Sequence, residues 1–512
     1  MMHHAGRSLG FLLFIVALAI LWIGHAAAVD RYVAPAGSDA GNNCTDSEVP
    51  CATVGQAVVS AERRDVIKVA RGTYVENVTI RPDLSHLSFE GGWERDFRAR
   101  RSNAALTVID GGETGSVMRL ETAVGNCTLR VDGFTLQNAG AGIAVTNMGA
   151  TVELNLKNCR IRENASVGGG GVVFINNGTA QIDISRCDVS GNVGIFGGVS
   201  LLNFGMATLN LAESRVSGNI SSTSGGGPIR REAVIMELSV AATGFVGGAG
   251  VNVVTMNGGD THANLYRNRI EGNGGLNGGG VLIVSQGSET RAQLTNNMIF
   301  ENNTVFNGGG VAIWPMVRGT TGDDTGVNLL NNTITGNTAS TASSRGGGVF
   351  VSSLNTANNV LVGLNNCIVW GNTAPSDGDD LEMVGEAVHV VAGTSIIGPT
   401  VNDGAHYTPA VSVVDVDPLF ADPGMGDYHL QPGSPAIDAG TYGVWMLVGG
   451  DWEYFKLAPV DDFEGDLRPD LPPADCCGRH LGCDIGADQY VVLPVPADTF
   501  IWNYPPQSLP LR

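Results

Sequence analysis

One phrase returns along the middle of this sequence and constrains the fold more than any other feature: an apolar residue, two variable residues, Asn, a short gap, then a Gly cluster followed by Val. It stands at Ile161-Arg162-Glu163-Asn164 with Gly168 to Gly171, at Val189 to Asn192 with Gly197-Gly198, and at Val216 to Asn219 with Gly225 to Gly227. It returns at Ile270 to Asn273, Ile299 to Asn302, Ile334 to Asn337 and Val369 to Asn372, the first three followed by Gly278 to Gly280, Gly308 to Gly310 and Gly346 to Gly348. Successive Asn residues are spaced by 28, 27, 54, 29, 35 and 35, and the interval of 54 reads as hiding one degenerate coil near Thr243 to Val251. Such a period means stacked coils, a solenoid whose core is buried only between neighbours.

Registering the coils on that Asn turns the sequence into columns. Eight residues before it stand Leu156, Ile184, Leu211, Leu265, Leu294, Leu329 and Leu364; ten before stand Leu154, Ile182, Leu209, Ala263, Ala292, Val327 and Val362. Apolar residues alternating with polar ones have the period of a strand with one face in the core. The repeating Asn tolerates left-handed geometry at a bend, and stacked Asn side chains hydrogen-bond from coil to coil. Five before it stand Cys159, Cys187, Ser214, Asn268, Asn297, Asn332 and Cys367, a small polar stack in which buried free thiols and a Cys159 to Cys187 bridge are both open. With 72 Gly in 512 residues and only 15% charged residues, the expected fold is all-β: a right-handed parallel β-helix with an N-terminal cap and a C-terminal cap domain.

The ends and the charge bound the setting. Arg7, the apolar run Leu9 to Ile23 and Ala26-Ala27-Ala28 follow the order of a secretory signal peptide, so residues 1–28 are expected to be removed and the mature chain to be secreted, extracellular or at the cell surface. A membrane anchor is the other reading of that run, which is short for a full span. Cys44 and Cys51 enclose a short polar loop and are expected to be disulfide-bonded; Cys476, Cys477 and Cys483 suggest a second local disulfide. A formal net charge of -21 speaks against nucleic acid or anionic lipid as partners. The basic spot at Arg95, Arg98, Arg100 and Arg101 reads as a salt-bridged surface.

The Asn and Gly-Gly-Gly-Val phrase, from about Asn158 to Asn372, resembles the repeat signature of polymorphic outer-membrane-protein-like β-helices. Tyr32-Val33-Ala34-Pro35-Ala36-Gly37-Ser38-Asp39, Pro50-Cys51-Ala52-Thr53 and Arg71-Gly72-Thr73-Tyr74-Val75-Glu76 resemble the opening cap of the pectin-lyase-like superfamily. Asp417-Pro418-Leu419-Phe420, Asp427-Tyr428-His429-Leu430, Ser434 to Gly440, Gly465 to Pro469 and Asp484 to Ala487 resemble a choice-of-anchor Q domain, which in that family closes bacterial β-helices and precedes a surface-anchoring signal. Here a Pro-rich tail follows Tyr490, with no hydrophobic helix or sorting motif, which leaves surface attachment open. The division expected is signal peptide 1–28, cap and first coils 29–80, β-helix 81–415, choice-of-anchor Q-like domain 416–490 and tail 491–512. The resemblance specifies the fold and not the chemistry, since this fold hosts lyases, hydrolases and adhesins alike.

Chemistry would be carried by the outward columns. Nine before the Asn stand Asn155, Asp183, Asn210, Asn264, Gln293, Asn328 and Gly363; eleven before stand Glu153, Gln181, Thr208, His262, Arg291, Gly326 and Leu361. A pectate-lyase-like site needs carboxylates on adjacent coils to hold Ca²⁺ against an acidic sugar, with Arg or Lys to take a proton. Neither column gathers that set. A polygalacturonase-like trio of acids with His and a basic clamp is not evident around Asp323-Asp324, Asp379-Asp380 or Asp461-Asp462, which read as turns. Asp183, His262, Asp323 and Asp324 stand as catalytic candidates, with an exposed, non-catalytic role the alternative for each. Asp438, Asp466 and Asp484, in Asp- and Gly-rich motifs, are candidates for a structural calcium, against turn capping. The expectation is a monomeric, non-catalytic binder of a polysaccharide or cell-surface protein along the solenoid face, with a polysaccharide lyase or glycoside hydrolase as the alternative.

Overall fold

The computed structural model describes residues 28–468 and 483–490, apart from 85, 167, 223–246, 315–324, 354–358, 377, 411, 442, 449, 450 and 457. The signal-peptide segment, Asp323, Asp324, Cys476, Cys477 and the tail 491–512 lie outside the described residues. Three long sheets of 13, 12 and 11 strands run in chain order, joined by a small sheet of 5 strands. Coil after coil pairs in parallel with the next, so the body is a right-handed parallel β-helix.

In the first sheet, seven-residue strands such as Thr151–Lys157, Thr179–Ser185, Met206–Ala212 and Asp260–Tyr266 alternate buried and outward residues. The two apolar columns meet in register, Leu154 on Ile182 on Leu209 on Ala263 and Leu156 on Ile184 on Leu211 on Leu265. Their side chains are between 0% and 1% exposed. Each contributes roughly 1.5–3 kcal/mol by leaving water. A three-residue strand of the second sheet follows, as at Arg160–Arg162, and then a strand of the third, as at Gly170–Asn176.

The bends are made differently from the sequence expectation. The residues in left-handed geometry are those just before the ladder Asn: Glu163, Gly191, Gly218, Gly272, Glu301, Gly336 and Gly371, with φ between 56° and 68° except Glu301 at 53°. A second set, Asn158, Arg186, Glu213, Arg267, Asn296, Asn331 and Asn366, turns the chain just before the small polar stack. Turning one residue early sends the following side chain inward. Asn164, Asn192, Asn219, Asn273, Asn302 and Asn337 are thereby buried, and each Nδ2 donates to the Oδ1 of the next Asn at 2.9 to 3.0 Å. A buried amide with every donor and acceptor engaged avoids the desolvation cost of an unpaired one. Asn372 ends the run by donating to Asp380 at 2.7 Å.

The Gly clusters follow from close backbone approach. A Cβ on Gly171, Gly198, Gly250, Gly280 or Gly310 would lie 2.2 to 2.7 Å from a carbonyl oxygen of the next coil, inside van der Waals contact. Gly250 belongs to this column, which corrects the reading of the 54-residue interval. Asn219 bonds directly to Asn273, and Met206–Ala212 pairs directly with Asp260–Tyr266, so no extra coil lies between them. The interval belongs to one coil, and residues 223–246 within it lie outside the described residues.

Cys159, Cys187 and Cys367 are free and buried in the polar stack, and Cys483 is free as well. Cys44 and Cys51 are disulfide-bonded, with Cα atoms 5.1 Å apart. Beside that loop a seven-residue helix, Val54–Ser60, lays Val54, Ala57 and Val58 over the first coil. Its first N–H groups are received by Thr53 and by the Glu76 carboxylate. The last strand of the second sheet is Val413–Val414, after which the chain turns back along the flank of the solenoid.

Candidate functional site

The flank explains where the chain after Val414 docks. Over four successive coils the two outward columns of the second sheet carry charged and polar residues, Arg160, Asp188, Arg215 and Arg269 in one and Arg162, Ser190, Ser217 and Glu271 in the other. From the next coil they become Met298, Thr333 and Ile368, and Phe300, Thr335 and Trp370. Phe420, Tyr428, Leu430, Ala436, Ile485 and Ala487 pack on this apolar half, and Tyr428 stands at ring-centroid distances of 4.9 Å from Phe300 and 5.3 Å from Phe420. Of the arginines of the charged half, a basic feature the linear sequence hides, Arg162, Arg215 and Arg269 pair with nearby acids; Arg215 is 2.5 Å from Glu271.

Arg468 fixes the docking. Only 1% exposed, it donates to the carbonyls of Asp461, Asp484, Gly486 and Ala487 and to the side-chain oxygens of Gln489 and Asn296, the last on the solenoid. Asn331 and Asn366, from the left-handed column, donate to Asp484 and Thr441 carbonyls.

Between this docked segment and the solenoid opens a cleft of about 630 Å³ lined by Glu301, Trp370, Asp417, Phe420, Tyr428 and Gln431, among others. Trp370 is half-buried, Glu301, Asp417 and Gln431 are exposed, and the Tyr428 hydroxyl lies 3.4 Å from Glu301 Oε1. Burial, and then the charge of Glu301, push the Tyr428 hydroxyl up to about 12, so it stays a neutral donor. An aromatic face beside carboxylate and amide oxygens is suited to a polyhydroxylated ligand, whose apolar ring face stacks while its hydroxyls hydrogen-bond. Sequence reasoning missed the cleft; the switch of the two outward columns to Met298, Phe300, Ile368 and Trp370 is the signal that marks the docking face, and of these Trp370 lines the cleft.

The predicted site residues are dispersed. Asp183 Oδ1 accepts from Gln181 at 2.9 Å and from Asn210 at 2.7 Å, and Asn264 donates to Asn210 at 2.8 Å, so Asp183 ends a surface amide ladder. His262 stands two coils further on, 3.2 Å from Arg291 Nη1 and 3.9 Å from Asp260. Asp484 accepts the Asp438 N–H at 2.8 Å on one oxygen and the Tyr490 N–H at 2.5 Å on the other. Asp466 meets Asp462 Oδ1 through its own N–H at 2.8 Å. The Asp462 bond is local capping, whereas Asp484 ties its own stretch to residue 438, 46 positions away. Burial raises the Asp484 carboxyl to about 6.

No protein-family model matches the chain, and no curated protein matches it either. Among solved structures it is similar to the pectate lyase Pel9A, with a TM-score of 0.43 and 10% identity over 91% of this chain and 97% of that one. A pectin methylesterase from carrot is matched with a TM-score of 0.21 and 11% identity, over 77% of this chain and 88% of that one. At such scores the assignment rests on the strand register itself: this chain is an all-β, right-handed parallel β-helix.

Proposed function

We propose that the protein is an exported or cell-surface β-helix that binds a glycan chain without cleaving it, and that the cleft beside Trp370 is where it does so. The observation that carries this is the convergence of Trp370, Tyr428, Glu301, Asp417 and Gln431 in one open cleft at a junction between solenoid and docked segment. The amide ladder of Asp183, Asn210 and Asn264 on the first sheet extends a polar surface along which a longer chain can lie. We include in this reading the polymorphic outer-membrane-protein-like repeats and the choice-of-anchor Q-like character of residues 416–490. Supporting the latter, Phe420, Tyr428, Arg468 and Asp484 of those motifs are the residues that dock the segment.

A second reading, hydrolysis, is favoured by one observation: Glu301 and Asp417 line the same cleft, and glycosidases use a pair of carboxylates. One experiment separates the two. Neutral and acidic polysaccharides are titrated against the protein by calorimetry, with and without Ca²⁺, while reducing ends and unsaturated products are followed. Binding without turnover, weakened about ten-fold or more in Trp370→Ala and Asp417→Asn, is the expected result. Turnover abolished in Glu301→Gln or Asp417→Asn would establish an enzyme instead, and binding unchanged in both Trp370→Ala and Asp417→Asn would remove the cleft from the account.

A further inference from the structure

The strand Asp427–Leu430 holds Tyr428 and Leu430 inward in the docking core and presents His429 outward. The Nδ1 of His429 lies 2.5 Å from Asp427 Oδ1, and its Nε2 lies 3.5 Å from Glu464 Oε1. A carboxylate on Nδ1 fixes the ring and leaves Nε2 as the free lone pair, the arrangement found behind metal-bound imidazoles. One ligating atom each from His429, Glu464 and Asp488 lies within 4.8 Å of the other two. An ion with bonds of about 2.1 Å holds its ligands roughly 3–4 Å apart, so closing around it asks for a shift of about 1 Å. His429 and Glu464 are exposed side chains and are free to make it.

Asp488 supplies an independent observation. It is 7% exposed, one oxygen accepts the Leu430 N–H at 3.0 Å, and among the described residues it has no ion-pair partner. Arg468 nearby spends its donors on carbonyl and amide oxygens. A carboxylate so buried costs several kcal/mol unless cations compensate it; the charges of His429 and Arg468 offset part of that cost, while Asp462 and Glu464 beside it add like charge.

We infer that His429, Glu464 and Asp488 form a site for one divalent transition-type cation, Zn²⁺ foremost, with Asp427 as a positioning residue behind the imidazole. One imidazole and two carboxylates suit Zn²⁺, whereas Ca²⁺ takes six to eight oxygens. The ligands come from three separate stretches of the docked segment, 427–430, 461–468 and 483–490, so the cation bolts them together. This site shares no ligand with Asp438, Asp466 and Asp484, and it does not depend on the glycan reading.

The full chain, stripped with a chelator, is titrated with Zn²⁺, Mn²⁺ and Ca²⁺ by calorimetry, with thermal unfolding measured in parallel. The expected result is one equivalent of Zn²⁺ bound about ten-fold or more tightly than Ca²⁺, a raised Tm, and a loss of ten-fold or more in affinity in His429→Gln and Glu464→Gln. Asp427→Asn, which keeps all three ligands, weakens binding less. Because His429 and Glu464 are exposed, both variants are expected to fold, which circular dichroism checks. Absence of saturable Zn²⁺ binding, unchanged binding in His429→Gln, or tighter binding of Ca²⁺ than of Zn²⁺ would each overturn the site; the last would return attention to Asp438, Asp466 and Asp484.

Discussion

The Nδ2 of Asn219 donates to the Oδ1 of Asn273 over 3.0 Å, although 54 residues of chain separate them. The same Oδ1 also receives the Asn219 backbone N–H at 3.0 Å, so one side-chain oxygen satisfies two buried donors of the coil before it.

Replacing Asn273 therefore strands more than its own amide. In Asn273→Ala both Asn219 donors lose that acceptor, although Asn219 Nδ2 keeps the Val189 carbonyl at 2.9 Å. At about 1–3 kcal/mol for each buried polar group left unsatisfied, a loss of roughly 2–4 kcal/mol is expected. Asn164→Ala, at the start of the ladder, takes an acceptor from one donor, the Ala139 N–H at 3.2 Å, where Asn273→Ala takes it from two, and is expected to cost less. Denaturation midpoints of the two variants decide it; equal losses would refute the ladder as an energetic unit.

Asp380 makes stability depend on pH. Burial pushes its carboxyl up to about 6, against the lowering effect of the hydrogen bonds from Asn372. With the folded value above the unfolded one, the contribution is fully present below about pH 4 and is lost as pH rises through 6. Asp380→Asn removes this titration and is expected to be more stable than the wild type above pH 6, by on the order of 3 kcal/mol at most, the advantage fading below about pH 4. Unfolding midpoints measured across that range check it, and a difference constant with pH would contradict it.

Arg468→Lys keeps the charge but offers three donors where the guanidinium reaches six acceptors. The docked segment is expected to loosen while the solenoid holds. Limited proteolysis should cut faster between residues 416 and 468 with the far-ultraviolet β signal unchanged; protection equal to the wild type would show that the apolar contacts suffice.

The Cys44 to Cys51 bond closes a loop across a sequence separation of 7 on the first cap. Loss of the bond in Cys44→Ser with Cys51→Ser is expected to cost about 2–3 kcal/mol by freeing the unfolded loop. An unreduced digest of exported protein shows the linked peptides if the bond forms, and free thiols at both positions would disprove it.

How much of this was legible depended on whether period and contact coincide. Leu156, Ile184 and Leu211 were readable because a strand with one face buried keeps its alternation. Val251–Met256 of the third sheet is buried on both faces, and its alternation disappears. The long interval reads as a hidden coil because counting along the chain cannot tell inserted residues from a coil, whereas the Gly198, Gly250 and Gly280 contacts can. The sequence points to the ladder Asn for left-handed geometry because Asn and Gly both tolerate it, and the structure places it at Gly191 and Gly218 instead. His429, Glu464 and Asp488 share no motif; only the fold-back of three stretches assembles them.

Every rung of the Asn ladder gives one side-chain hydrogen forward to the next Asn and the other back to a carbonyl of the coil before it. An interior turn is thus a cassette with matching plugs, and duplicating or deleting a whole one leaves its neighbours with the same partners. Asp380 accepts and passes nothing on while ionised. At this corner the acceptor is a carboxylate eight residues further on rather than the Asn of a next coil, so the run of matching plugs closes with it.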